Sequence, residues 1–226
     1  MTDATTQTKG NGFEPTERTR LRRSPARGRY DRDTVYAILD AGLVCHVGYA
    51  IDGQPFVTTT AYWRDGDRVY WHGSAASRML KQQSERVPVC FTVAHLDGLV
   101  LARSAFHHSV NYRSVTAYGL SEPIEDEDEK RRQLRLFLER IAPGRSAEVR
   151  EPNRRELRLT TLMSLPLTEA VAKVRTGPPV DDEADYALPV WAGVLPLART
   201  ALSPLPDERL PAGVPVPEAI RRLRVD

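Results

Sequence analysis

The chain has 226 residues, 41% of them hydrophobic and 27% charged, with a net charge of +2. That balance suits one globular domain with terminal extensions, and so small a charge does not by itself imply a nucleic-acid partner. Two cysteines without a CxxC pair argue against structural zinc, and no stretch approaches the roughly 18 apolar residues of a membrane span.

Residues 1–27 have almost no apolar periodicity, and arginines crowd "ERTRLRRSPARGR". A disordered basic arm is expected there. Without aromatic stacking residues beside the charge, nucleic acid is not the expected partner. "MTDATTQTKGNGFEP" lacks the apolar centre of a signal peptide, so a cytoplasmic protein with buried free thiols at Cys45 and Cys90 is expected.

"DRDTVYAILDAG" predicts a helix capped by Asp31 or Asp33, with Val35, Ile38 and Leu39 inward and Gly42 at its end. "LVCHVGYA" predicts a strand. Asp52-Gly53 is a hairpin signal before the strand "PFVTTTAYW", and Asp65-Gly66 is another before "RVYWHG". Thr58–Trp63 is thus expected to pair with Val69–His72. "SAASRMLKQQS" predicts a short helix with Met79 and Leu80 inward. "PVCFTVAHL" and "LVLARSA" predict two strands joined by a turn at Asp97-Gly98, and "YRSVTAYGLSEPI" a further strand. "DEDEKRRQLRLFLERIAPG" predicts an amphipathic helix with Leu134, Phe137, Leu138 and Ile141 on one face. Asn153 and Glu156 form a capping-box pattern. "TLMSLPLTEAVAKVR" predicts a closing strand bent at Pro166, and residues 176–226 a proline-rich extension. Several strands joined by DG turns favour a small, mainly β, antiparallel barrel with few helices.

"FHHSVNYRS", residues 106–114, is the densest cluster of reactive side chains. On a strand, adjacent His107 and His108 point to opposite faces, so they cannot share a metal. No metal site is expected, and no GxSxG elbow supports a serine nucleophile. "HGSAASRML" leaves a strand and opens a helix. There Gly73 permits close backbone approach, Ser74 and Ser77 offer hydroxyls, and Arg78 offers a fork suited to phosphate. Taken alone, that stretch reads better as an N-cap with a surface arginine. Asn111, Tyr112, Arg113 and Ser114 supply a second set of donors, and the two sets together suggest a phosphorylated cofactor. Thr58, Thr59 and Thr60 suit strand propensity, or hydrogen bonding to the edge of a flat heterocycle.

The order "DGQPFVTTTAYWRDGDRVYWHGSAASRML", "VPVCFTVAHLDGLVLARSAFHHSVNYRSVTAYG" and "AKVRTGPPVDDEADYALPVWAGVLPL" resembles the pyridoxamine 5′-phosphate oxidase-like superfamily over residues 28–197. Within it, the flavin-nucleotide-binding branch that includes nitroimidazole-resistance reductases is the nearer likeness. The resemblance implies an antiparallel split β-barrel at 28–175, peripheral helices, and a homodimer with FMN at the subunit interface. By that resemblance Thr58, Thr59 and Thr60 lie along the isoalloxazine edge. His72, Gly73, Ser74, Ser77 and Arg78 surround the ribityl chain and phosphate, and Asn111, Tyr112 and Arg113 complete the pocket. His72 matches the histidine near the flavin in nitroimidazole-resistance proteins.

The sequence departs from the true oxidases at Met79, where a lysine commonly follows the serine-arginine pair. It also has no C-terminal Arg-x-His motif, so vitamin B6 oxidation is not expected. An FMN-dependent oxidoreductase acting on a small organic molecule is expected, with His72 and Tyr112 as candidate proton donors. The alternatives are a non-catalytic flavin-storage or sensor protein, or the same barrel holding haem or a deazaflavin (F420). For haem, the imidazoles are His46, His72, His95, His107 and His108. Trp191 is expected to pack the tail onto the barrel or to cover a neighbouring subunit's pocket.

Overall fold

The computed structural model of the chain describes residues 11–223. Ten strands are β1 (Gly28–Arg29), β2 (Val44–Ile51), β3 (Gln54–Asp65), β4 (Arg68–Ser74), β5 (Pro88–Leu101), β6 (Ser109–Leu120), β7 (Glu122–Pro123), β8 (Thr160–Pro166), β9 (Glu169–Arg175) and β10 (Gly193–Pro196). Five helices are α1 (Arg32–Asp40), α2 (Arg78–Gln83), α3 (Glu127–Ile141), α4 (Arg154–Leu159) and α5 (Glu218–Arg221). The sheet runs β1-β9-β6-β5-β2-β3-β4-β8-β7, entirely antiparallel, with β10 added to β5.

The hairpin at Asp52-Gly53 forms as the sequence predicts, both residues taking positive φ. β3 then serves two partners. Gln54–Ala61 pairs with β2, and only Tyr62–Asp65 pairs with β4. The expected pairing of Thr58–Trp63 with Val69–His72 is therefore shorter than predicted, because β2 and β4 diverge along β3 and the barrel opens there. The stretch expected to be one bent strand is two. β8 pairs with β4 and β9 with β6, so Leu167 and Thr168 carry the chain between the two ends of the sheet order. Asp97-Gly98 makes no hairpin either. It is an irregularity inside the single strand β5, and Gly98 is needed because a Cβ there would meet the Leu195 carbonyl of β10 at 3.0 Å.

Inward residues alternate as the strand period requires: Cys45, Val47 and Tyr49 on β2, Val89, Phe91 and Val93 on β5, and Val115 and Ala117 on β6. α1 closes one end with Val35, Ile38 and Leu39, and Asp31 caps it by accepting the Thr34 amide. Gly42 does not terminate α1 through a left-handed turn. It leaves room for the Tyr62 hydroxyl, which a Cβ there would meet at 2.5 Å and which donates to the Leu39 carbonyl. Burial pushes the Cys45 thiol up to about 12, so it is an inert core group.

The expected disordered arm is corrected for residues 11–27, while residues 1–10 lie outside the described residues. Phe13 is buried, and its amide donates to the Tyr30 carbonyl. Arg32 stacks over its ring at 4.6 Å. Arg18 pairs with Glu169, and Thr19 is fully buried. One aromatic anchor and a few polar contacts hold this segment, and a periodicity test does not register either.

α3 lies across the outer face of β3 and β4 over Trp63, Tyr70 and Leu162. Its fully buried residue is Gln133, and of the predicted face Leu134, Phe137, Leu138 and Ile141 it is Phe137 that packs on this cluster. Trp63 Nε1 donates to Gln133 Oε1 at 2.7 Å, and Gln133 Nε2 donates to Asp65 and Glu129. Leu136 and Phe137 pack beside it, while Ile141 is 39% exposed. Replacing Gln133 with Leu orphans the buried indole N–H and is expected to cost about 1–3 kcal/mol in urea denaturation. An unchanged denaturation midpoint would mean that α3 is held by its apolar contacts alone.

Candidate functional site

The candidate residues fall into two groups. The first flanks the opening between β3 and β4. Phe56, Thr58 and Thr60 share the inner side of β3 and are half-buried, whereas Thr59 is exposed on the outer side. Gly73 and Ser74 end β4, and Ser77 and Arg78 begin α2. The Arg78 guanidinium lies over the Phe56 ring, 4.5 Å from its centre, so α2 and β3 meet across the opening. Arg78 has no carboxylate partner among the described residues. Ser77 sits at the N-cap, yet its hydroxyl makes no cap bond. The Ser74 hydroxyl is used locally, accepting the Ala76 amide at 3.2 Å. Ser77 and Arg78 are thus the free polar pair of this group.

The second group is on β6. The row Thr59, His46, Thr92, Thr116 crosses the sheet from β3 to β6. Tyr112 lies four residues further along β6, which places it about 20 Å from Thr59 by strand spacing and rise. One chain therefore does not bring Asn111, Tyr112 and Arg113 to the β3–β4 opening. Two of the three are already engaged. Arg113 grips Asp97 with its Nε at 3.0 Å, and Asn111 donates to the Gly177 carbonyl at 3.1 Å while accepting from Arg175. Tyr112 is half-buried beside an open groove of about 530 Å³ whose lining includes Ser114, Lys173 and Arg199. The last two were not anticipated. Lys173 reads as an ordinary strand residue, and Arg199 belongs to a tail whose path no pattern reveals.

His107 and His108 do not alternate on a strand as expected. His107 ends a 3-10 turn at Ala105–His107, and His108 follows it, its Nδ1 2.9 Å from the Ser104 carbonyl. Trp191 is 68% exposed, its ring lying against Gly193.

His72 takes a different setting from its neighbours. Trp63 faces Tyr70 across the β3–β4 ladder, and His72 is two residues beyond Tyr70 on the same outer side. Its ring meets Phe137 of α3 edge-on at 4.7 Å and Trp63 at 5.7 Å. Its buried Nδ1 has no hydrogen-bond partner among the described residues. Burial holds its pKa below the ordinary 6.5, so the imidazole is neutral. His95, whose Nε2 lies 3.0 Å from the Ile38 carbonyl, is shifted the same way, first by burial. Because the unfolded chain binds these two protons more readily, their contribution to stability is intact above pH 6.5 and is lost as the pH falls below it. Thermal midpoints should fall between about pH 7.5 and about pH 5.5, and the double change His72→Leu/His95→Leu should flatten that slope.

The family model for pyridoxamine 5′-phosphate oxidase matches residues 31–174. No curated protein matches the chain. Among solved structures, the flavocytochrome Anf3 from Azotobacter vinelandii is 47% identical, with 95% of this chain and 100% of that chain covered and a TM-score of 0.89. The FAD and heme binding protein from Mycobacterium smegmatis is 34% identical, covering 88% of this chain and 98% of that one, with a TM-score of 0.85. A candidate 5-nitroimidazole antibiotic resistance protein from Bacteroides thetaiotaomicron, 22% identical over 64% of this chain and 84% of that one, shares the fold at a TM-score of 0.53. With a match across the barrel from α1 to β9 and relatives of this likeness, the chain belongs to the pyridoxamine 5′-phosphate oxidase family and has its split-barrel fold.

Proposed function

We propose that this protein is a flavin-dependent oxidoreductase that also carries a haem. The observation that carries the haem part is the buried, unpartnered Nδ1 of His72, a neutral imidazole walled by Trp63 and Phe137. A neutral imidazole is the ligand form of histidine, and an orphaned buried nitrogen carries a cost that coordination removes. Of the other imidazoles, His46 is exposed, and His95 and His108 each lie against a backbone carbonyl. His107 Nε2, 3.5 Å from Asp182, is the remaining candidate. Two relatives support this reading, one a flavocytochrome and the other binding FAD and heme. His72 thereby moves from the expected proton donor to haem ligand.

For the flavin, Ser77 and Arg78 hold the phosphate nearest the β3–β4 opening, and Thr58 and Thr60 line its β3 side. Bound flavin and haem would supply hydride and one-electron chemistry, while the chain's own residues bind, orient and shield them. Tyr112, expected as a second proton donor, belongs to the β6 group and lines the groove beside Lys173 and Arg199. Two copies pair through the outer face of β3, β2 and β5, where Val44, Val57 and Leu96 are more than half exposed. That pairing brings the β6 group of one protomer to the opening of the other.

An absorbance spectrum of the purified full chain tests the proposal. Flavin bands together with a Soret band are expected. A colourless protein that takes up neither group on titration overturns it, and flavin bands alone leave only its first half standing. Steady oxidation of a reduced nicotinamide with an electron acceptor separates an enzyme from a flavin store.

A further inference from the structure

The groove beside Tyr112 has a composition that the family assignment does not explain. Its volume is about 530 Å³, and a smaller cavity of about 190 Å³ adjoins it, sharing His95, Leu96 and Arg199. Tyr112, Ser114 and Lys173 lie on the outer side of β6 and β9, where Ser114 faces Lys173 across the ladder. Arg199 comes from the tail beyond β10, so the pocket exists only because β10 docks the tail on β5.

The charge is one-sided. Neither Lys173 nor Arg199 has a carboxylate partner among the described residues, and no carboxylate lines the groove. Asp97, at the smaller cavity, is already taken by Arg113. Arg175, two residues after Lys173 and so on the same side, has only the Asn111 amide oxygen as its partner, and its pKa is lowered by burial and by the charge of Arg27. Other half-buried arginines do meet carboxylates, as at Arg64–Asp40 and Arg68–Glu122. An open groove whose cations have no carboxylate partner is suited to an anion that reaches it from solvent. A tyrosine ring and two hydroxyls at its wall suit the nucleoside that carries such an anion.

We propose that this groove binds the nucleotide end of a dinucleotide, with Lys173 and Arg199 as the principal charged contacts of the phosphate next to the nucleoside. Insofar as the dinucleotide is the resident flavin, the proposal rests on the function proposed above and makes FAD, not FMN, the fitting form. The same chemistry would also receive a nicotinamide dinucleotide acting as electron donor.

The test uses the flavin-free full chain, with ADP as the probe in calorimetric titration and FMN and FAD in fluorescence titration. ADP binding is expected. Lys173→Gln and Arg199→Gln are each expected to weaken ADP and FAD by roughly tenfold or more and to leave FMN unchanged. Arg22→Gln, an exposed change elsewhere, should alter none of the three. Competition names the source: displacement of ADP by FAD assigns the site to the flavin, and displacement by NADH assigns it to the donor. Both results support a nucleotide site. Absence of ADP binding, or ADP affinity untouched by both substitutions, overturns it. A chain that binds ADP in this way but takes no flavin would overturn the flavin proposal and leave this one standing.

Discussion

His72→Leu removes the Soret band from the purified protein, leaves the flavin bands in place, and yields a flavin- and haem-free chain that is more stable than the parent. The two effects have one cause. In the free chain, Nδ1 of His72 is buried against Trp63 and Phe137 with no hydrogen-bond partner, and such a group costs about 1–3 kcal/mol. Leucine has similar bulk and no polar atom, so about 1–2 kcal/mol should be recovered in urea denaturation. The gain should grow below pH 6.5, where the parent also loses stability because its folded imidazole resists protonation. A residue kept at a cost to folding points to a use for that residue. His107→Leu is the control, since its Nε2 is the other orphaned ring nitrogen. A Soret band that survives His72→Leu and vanishes in His107→Leu would transfer the ligand role to the 3-10 turn. A destabilised His72→Leu chain would show that the imidazole is packed to advantage without any ligand.

The elements of the barrel were legible because each rests on local chemistry. Asp31 caps α1 and Asn153 with Glu156 boxes α4, as the sequence pattern says, since both caps are settled within four residues. The failures share a cause of the opposite kind. Asp97-Gly98 has the composition of a hairpin turn but becomes an irregularity, because β10, almost a hundred residues later, lies against Gly98 and needs its bare Cα. Thr58 could not be assigned to β2 or β4 from its neighbours, since the split that separates those strands is a property of the closed barrel. Gln133 reads as a polar interruption in an amphipathic helix. It is the helix's anchor only because Trp63, 70 residues earlier, turns an indole N–H outward to it. The same division runs through the site. Ser77 and Arg78 are adjacent and could be read together, whereas Lys173 and Arg199 meet at Tyr112 only after β9 and the tail have docked.

Arg78→Ala should weaken the binding of FMN and FAD alike, by roughly 10- to 100-fold, which is the range for losing a charged hydrogen bond to phosphate. The expectation follows from what Arg78 lacks. Its guanidinium is exposed, rests on the Phe56 ring, and pairs with no carboxylate among the described residues, so its five donors have no protein partner to lose. Folding should therefore be nearly indifferent to the change, with only the modest cation–π contact forfeited. Arg78→Lys keeps the charge but not the fork and should recover only part of the affinity. Ser77→Ala, whose hydroxyl makes no cap bond, should act in the same direction with a smaller loss. The comparison with Lys173→Gln is the informative one. A phosphate at Arg78 is common to both flavins, while the groove beside Tyr112 is reached only by the longer one. Arg78→Ala must then cost FMN and FAD equally, and Lys173→Gln must cost FAD alone. Equal losses of both flavins in both variants would collapse the two sites into one and place the flavin phosphate on β6 and β9 in place of the β3–β4 opening.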